Sequence, residues 1–392
     1  MKTGLLLRPV LSLLIISLLG GLFSKANAIP AFARQYKISC TTCHAPIPKL
    51  KAYGNEFAAN GFIIKENLKK RDFVTAGEED ELFLNKVFPI AVRFDAFAVA
   101  DDSKEVKSDL QSPWGLKLLS GGPLYKNIGY YFYFYLAERG EVAGIEDAYL
   151  HFDNLFGKEL DLMIGQFQTS DPILKRELRL TFEDYRILKV QPGKSAVNLT
   201  YDRGLILTYT LQKTSTDFVG MVVNGNGKGP ASEETKMFDN NSFKNLVFRV
   251  TQGIGSNLSL GAYAYLGEEQ DVYKNKLKYY GPDVVLNLGK VEFTGVYLRR
   301  EDSNPNFVAK SKTIYTDGIV AELHYFPQKD RSRVFLTALY NKVMSDLKDI
   351  EYETFTLNTS YWFKRNLRFL IEYTRDLKHS KNRLVLGLVS AF

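Results

Sequence analysis

The chain has 392 residues and a formal net charge of +7, of which Lys2, Arg8 and Lys25 near the N-terminus supply +3. The remaining +4 is too mild a basicity to argue for nucleic acid as a partner. Two cysteines exclude a disulfide framework, and 23 Tyr and 27 Phe against 2 Trp set an aromatic bias that suits strands.

In chain order, the first element is an export signal. Lys2 and Arg8 flank a short start, an apolar run extends from Val10 to Phe23, and Ala26 and Ala28 supply small residues. A cationic start, an apolar run of roughly 7–15 residues and an A-x-A site describe a secretory signal peptide. A spanning helix would need ~20 apolar residues. Residues 1–28 are therefore expected to be removed, with the mature chain beginning at Ile29 and lying outside the cytoplasm.

Residues 29–86 form a second unit, opened by "SCTTCHAPIP". Cys40 and Cys43 stand three apart, and His44 follows directly. A structural zinc site needs about four N/S ligands, and the chain has no second cysteine pair. A thioredoxin-like pair wants a βαβ context that this stretch lacks. A disulfide across two residues would constrain little chain. C-x-x-C-H is the spacing of c-type haem attachment, in which each thiol bonds one vinyl group and the next residue offers imidazole to iron. The expectation is one covalent haem c held by Cys40 and Cys43, with His44 as the proximal ligand. Downstream, "AYGNEFAANGF" reads as a helix sharing a face among Leu50, Tyr53, Phe57 and Phe62 and stopping at Gly61. Acidic residues 78–81 then lead to the third unit.

Residues 87–392 alternate with period two, the strand signature. In "NLSLGAYAYL", Leu258, Leu260 and Leu266 oppose Ser259, Tyr263 and Tyr265; in "LRFLIEY", Leu367, Phe369 and Ile371 oppose Arg368, Leu370 and Glu372. Short connectors (121–127, 154–158, 212–217, 253–257, 287–290, 327–332, 364–366) alternate with long polar ones (169–196, 225–242, 267–276, 301–313). Outer-membrane barrels combine short periplasmic turns, long external loops and an even strand number. The fold class expected is all-β transmembrane: about sixteen strands in an outer-membrane β-barrel, closing on "RLVLGLVSAF", with a small helical haem plug before it. The long charged segment 169–196 is expected to fold inward, because a loop of that length is usually functional.

The stretch "PAFARQYKISCTTCHAPIPKLKAYGNEFAANGF" resembles the fused monohaem c-type cytochrome–porins of the bacterial outer membrane. The matching residues are Pro30, Phe32, Ala33, Arg34, Cys40, Cys43, His44, Pro48, Leu50, Gly54, Phe57 and Gly61. Lys51 and Phe62 depart from the polar residue and the tyrosine that this family usually carries. Residues 146–171 and 198–207 are similar to the hairpin and constriction-loop region of anion-type porins. The resemblance implies electron acceptance from extracellular Fe(II), or another donor, and delivery to a periplasmic carrier such as a soluble cytochrome.

Electron-transfer haems often take a second axial ligand, Met or His. None follows His44 until His151. Alternation puts His151 and His324 on the lumen face, ahead of Met163 as distal candidates, while His379 falls in an external loop. Arg34 heads the basic residues expected to pair with haem propionates. The acidic cluster 267–271 is expected in an external loop, where it would attract Fe(II). Two rival functions stand beside electron transfer: a porin whose haem plug gates or stabilises it, and a peroxidase-like haem enzyme with an open iron site.

Overall fold

A lipid-facing strand must pair every backbone donor and acceptor, and only closure pairs them all. The computed structural model, which describes residues 31–64, 73–74, 84–85 and 89–392, closes that ladder. Sixteen antiparallel strands form one barrel. They are β1 (Ile90–Asp101), β2 (Ser108–Tyr125), β3 (Ile128–Glu138), β4 (Gly144–Phe152), β5 (Leu160–Gln168), β6 (Tyr201–Leu211), β7 (Thr216–Val223) and β8 (Asn245–Ile254). Then come β9 (Leu258–Gln270), β10 (Lys274–Asn287), β11 (Val291–Asp302), β12 (Ile314–Tyr325), β13 (Val334–Ser345), β14 (Tyr352–Lys364), β15 (Leu367–Asp376) and β16 (Lys381–Ala391). Each pairs with its chain neighbours, and β16 returns to β1. Phe392 completes the seam, its N–H donating to the Val92 carbonyl (2.8 Å) and its carbonyl accepting from Val92 N–H (2.6 Å).

The two faces of the strands separate as the alternation requires. Leu357, Ile371 and Leu386 are about half exposed, whereas their neighbours Asn358, Glu372 and Val385 are buried. The outward face is therefore apolar and the inward face mixed, the arrangement of a barrel in lipid. No described helix is long and apolar enough to cross a membrane, so crossing falls to the strands. The export signal of residues 1–28 and the acidic run 78–81 lie outside the described residues.

Two expected connectors are corrected. The segment 121–127 is not a turn, because β2 runs on to Tyr125. The segment 267–276 is not a long loop, because β9 reaches Gln270 and β10 starts at Lys274.

The bore is filled twice. The segment between β5 and β6 folds inward, and Leu180, Ile187, Leu188 and Leu199 have no more than 1% of their surface exposed. Its backbone groups would be unsatisfied there without wall partners. Arg300 Nη1 donates to the carbonyls of Val190 (2.9 Å) and Val197 (2.7 Å), and Arg368 Nη1 donates to that of Leu180 (3.0 Å). The Glu372 carboxylate accepts from the backbone N–H of Phe182 (2.6 Å) and Glu183 (2.8 Å).

The second filling is the N-terminal segment, with helices α1 (Ala31–Tyr36), α2 (Cys40–Cys43) and α3 (Ala52–Ala59). The helix expected around Leu50–Phe62 is shorter than the apolar spacing implied. Phe57 is buried and Leu50 and Phe62 join the same cluster, but Tyr53 is 42% exposed. Gly61 adopts φ +62° where the chain leaves the helix, as a stop residue should.

Candidate functional site

The cysteine motif is organised by local hydrogen bonds. Ser39 caps α2, its hydroxyl accepting from Thr41 N–H, and His44 N–H donates to the Cys40 carbonyl at 2.9 Å. One helical turn thus separates the two thiols, with His44 leaving it in an extended conformation. The chain then doubles back. His44 bridges Leu50, and Lys51 N–H donates to the Cys43 carbonyl at 2.8 Å. Gly54 permits the crossing of α3 over this turn, because a Cβ there would stand 2.3 Å from the Cys43 oxygen.

His44 Nδ1 lies 3.1 Å from the Pro48 carbonyl. A carbonyl only accepts, so Nδ1 carries the proton and the lone pair is left on Nε2. Burial lowers the pKa of this imidazole and favours its neutral form. Both cysteines are free thiols, and burial raises the pKa of each. Cys43 packs with Phe57, Phe62 and Ile64, and Phe32 stacks on Phe62 with centroids 4.9 Å apart. Cys40 faces the barrel wall and packs on Phe326, Phe335 and Trp362. The residues fit a covalent haem c: two free thiols one turn apart, an imidazole in the ligating tautomer and an aromatic, apolar surround.

The segment reaches across the bore at the short-turn end. On one wall Phe62 stacks on Tyr131 of β3 (5.1 Å), and Gly61 meets Gly129 so closely that a Cβ on Gly129 would lie 2.3 Å from the Gly61 oxygen. On the other, Lys49 Nζ pairs with Glu292 of β11 at 2.5 Å, and Cys40 meets its aromatic cluster. Lys175 of the inward segment donates to Asn55 of α3 at 3.0 Å, joining the two fillings.

His151 and His324 both face the lumen, as alternation requires, and both are buried. They occupy opposite walls, on β4 and β12, eight strands apart in a ring of sixteen. His324 lies on the Cys40 side, its ring centroid 6.0 Å from that of Phe326. Its nitrogens are already engaged, Nδ1 with Thr337 Oγ1 (2.9 Å) and Nε2 with Glu322 (3.1 Å). His151 lies beside Gly61 at the far edge of the plug, and neither ring nitrogen has a hydrogen-bond partner among the described residues. Met163 is the register partner of His151 on β5. His379 is exposed and bonds Asp376 at 2.9 Å. The Arg34 side chain lies outside the described residues.

The acidic cluster 267–271 does not form a long external loop, and the Glu269 carboxylate points inward. Glu269 accepts from Ser195 Oγ (2.6 Å) and from the N–H groups of Ala196 (2.7 Å) and Val197 (3.1 Å). Glu268 is also buried and pairs with Lys274 at 2.5 Å. Glu269 thereby anchors the inward segment.

Sequence reasoning missed the charge that this segment gathers. A cavity of about 240 Å³ between segment and wall is lined by nine basic and five acidic side chains, among them Arg93, Lys117, Arg176, Arg179, Arg368 and Arg383. Glu177 sits in its middle, 3.3 Å from Lys117 and 3.1 Å from Arg176. Burial alone would raise Glu177, but Lys117, Arg176, Arg179 and Arg93 hold it well below the usual carboxylate range. Asp184 is likewise depressed, with Arg179, Arg176 and Lys189 overriding its burial. At Asp171 burial outweighs the nearby Lys175 and Arg176 and pushes the carboxyl up to about 6. The contributing strands meet only on closure, so no local signal announces the cluster.

Fold and site together define a class: a sixteen-stranded barrel of porin architecture, with an inward loop and an N-terminal segment in its bore. Solved structures carry the same architecture. The anion-selective porin from Comamonas acidovorans superposes with a TM-score of 0.58 at 10% identity, over 78% of this chain and 99% of that one. OmpT with loop L8 deleted, an outer-membrane protein of Vibrio cholerae, gives 0.55 at 14% identity, over 78% and 99%. OmpF of Salmonella typhi in complex with daunomycin gives 0.56 at 9% identity, over 78% and 97%. No protein-family model matches the sequence, and no curated protein matches it. At these identities the likeness shows the fold, which is that of outer-membrane porins.

Proposed function

We propose that the protein moves single electrons across the bacterial outer membrane through one covalent haem c, bound by Cys40, Cys43 and His44, and that it is a fused cytochrome–porin. The observation that carries this reading is the seating of a C-x-x-C-H turn, with its histidine in the ligating tautomer, inside the short-turn end of a barrel. Haem would supply a one-electron iron couple. The chain's own part would be to hold it: Cys40 and Cys43 would anchor it, His44 Nε2 would ligate its iron, and Phe57, Phe326, Phe335 and Trp362 would keep water away.

Short turns face the periplasm in such barrels, so the plug lies at the periplasmic mouth, beside a periplasmic carrier such as a soluble cytochrome. The donor is extracellular Fe(II). A cavity with basic side chains in excess repels Fe(II), so electrons rather than iron pass that cavity. The donor therefore reacts from the long-loop side, across a wall whose apolar band is only ~25 Å tall.

One observation favours a second reading. The excess of basic over acidic lining suits small anions, as in a porin whose plug gates it. The test is to add Fe(II) to the purified oxidised protein and follow the haem absorbance, beside conductance in planar bilayers. Electron transfer predicts rapid reduction and negligible conductance. An unreduced haem with a steady anion current would support the porin.

A further inference from the structure

His151 poses a problem that the haem does not solve. It is 5% exposed, and among the described residues neither ring nitrogen has a hydrogen-bond partner. A buried polar group left without a partner is costly, so such groups call for an explanation. Two carboxylates stand beside it. Asp153 follows β4 two residues after His151, on the same lumen face, and is 2% exposed. Asp161 lies on β5, where Phe152 opposes Leu162 and His151 opposes Met163. Carrying that register one step further sets Asp153 against Asp161.

The three ligand atoms lie within 4.8 Å of one another. The carboxylates are held before any ligand arrives. Asn154, in a left-handed conformation at φ 53°, donates its backbone N–H to Asp161 Oδ1 (2.8 Å) and its side-chain amide to Asp153 Oδ2 (2.6 Å). Gly61 of the plug covers the His151 ring, where a Cβ would touch Cγ at 3.6 Å.

We infer that His151, Asp153 and Asp161 form a binding site for one divalent transition-metal cation of the Fe(II), Mn(II) or Zn(II) kind. Two carboxylates neutralise a 2+ charge, which matters in a partly desolvated lumen. One imidazole with two carboxylates is a borderline set, harder than the thiolate sites that select Cu(I) and softer than the all-oxygen sites of Ca²⁺. The neutral imidazole supplies its free nitrogen lone pair, and the site seals the junction between plug and wall. Cys40 packs on the wall eight strands away, and the haem spin state read out below distinguishes this site from an iron ligand.

The test titrates Co(II) into the purified full-length protein in detergent and follows its d–d absorption, with Zn(II) as competitor. One equivalent is expected to bind and to be displaced by Zn(II). Asp161→Asn keeps an acceptor for Asn154 and is expected to weaken binding at least tenfold, as is His151→Gln. Heat-modifiable gel mobility confirms that each variant is a closed barrel. Absence of binding, or equal affinity in the wild type and both variants, overturns the assignment. A changed haem spin state in His151→Gln also overturns it, because His151 would then be an iron ligand.

Discussion

Replacing Gly129 by alanine tests how the plug is seated. The added Cβ would stand 2.3 Å from the Gly61 oxygen, 3.1 Å from its carbonyl carbon and 3.2 Å from its Cα. Favourable contacts of this kind lie near ~3.5 Å, so the plug must retreat by about 1 Å. The three nearest atoms all belong to Gly61, so the strain falls on the plug and not on the strands. Retreat loosens the Phe62–Tyr131 stack on the same wall. Overpacking a fitted contact typically costs about 1–3 kcal/mol. Charged wholly to docking, that shifts the docked-to-undocked ratio by roughly 5- to 150-fold. In planar bilayers the wild type should be nearly silent, whereas Gly129→Ala should show intermittent openings. Protease added at the short-turn side should cut residues 31–64 correspondingly faster. Unchanged conductance and unchanged cleavage would refute the reasoning, because the glycine pair would then hold nothing in place.

Three further outcomes follow from the same geometry. Cys40→Ser or Cys43→Ser should leave at most one thioether, and the double variant none, so haem staining after denaturing electrophoresis should weaken and then vanish; full staining of the double variant would contradict the attachment site. Arg300→Met removes the guanidinium partner of Asp302, 0% exposed and 2.6 Å away, and releases the Val190 and Val197 carbonyls; breaking such a buried pair costs about 3–5 kcal/mol, and an unfolding free energy lowered by less than about 1 kcal/mol would argue against the anchor. Asp171, raised to about 6, stabilises docking of the inward segment most below the ordinary carboxyl range, and that contribution is lost as pH rises through about 6. Glu177 and Asp184, both depressed, keep their contribution at these pH values. Protection of residues 175–189 from protease should therefore increase from pH 7.5 to pH 5, and a decrease would show that another group governs the segment.

Much of this was legible in the chain because strand alternation is local. His151 and His324 could be placed in the lumen from their neighbours alone, since Leu150 and Leu323 had to face lipid. The Cys40, Cys43 and His44 motif was equally local, a four-residue C-x-x-C followed by a histidine. Legibility failed where distant segments meet. Gly121 read as a turn residue, yet it lies within β2, and its missing side chain leaves room for the Phe32 ring, which a Cβ would approach to 3.0 Å. Glu268 and Glu269 had the composition of a loop because β9 continues beyond the apolar band, and only the folded inward segment shows what Glu269 holds. The separation of His151 from the Cys40 wall depends on strand count and closure, which no window of sequence contains.

The most direct test is reconstitution into liposomes loaded with oxidised soluble cytochrome c, with Fe(II) added outside. The account predicts reduction of the enclosed cytochrome only when the barrel is present and carries both Cys40 and Cys43, without leakage of entrapped solute. An enclosed cytochrome that stays oxidised while the protein's own haem remains unreduced would contradict it.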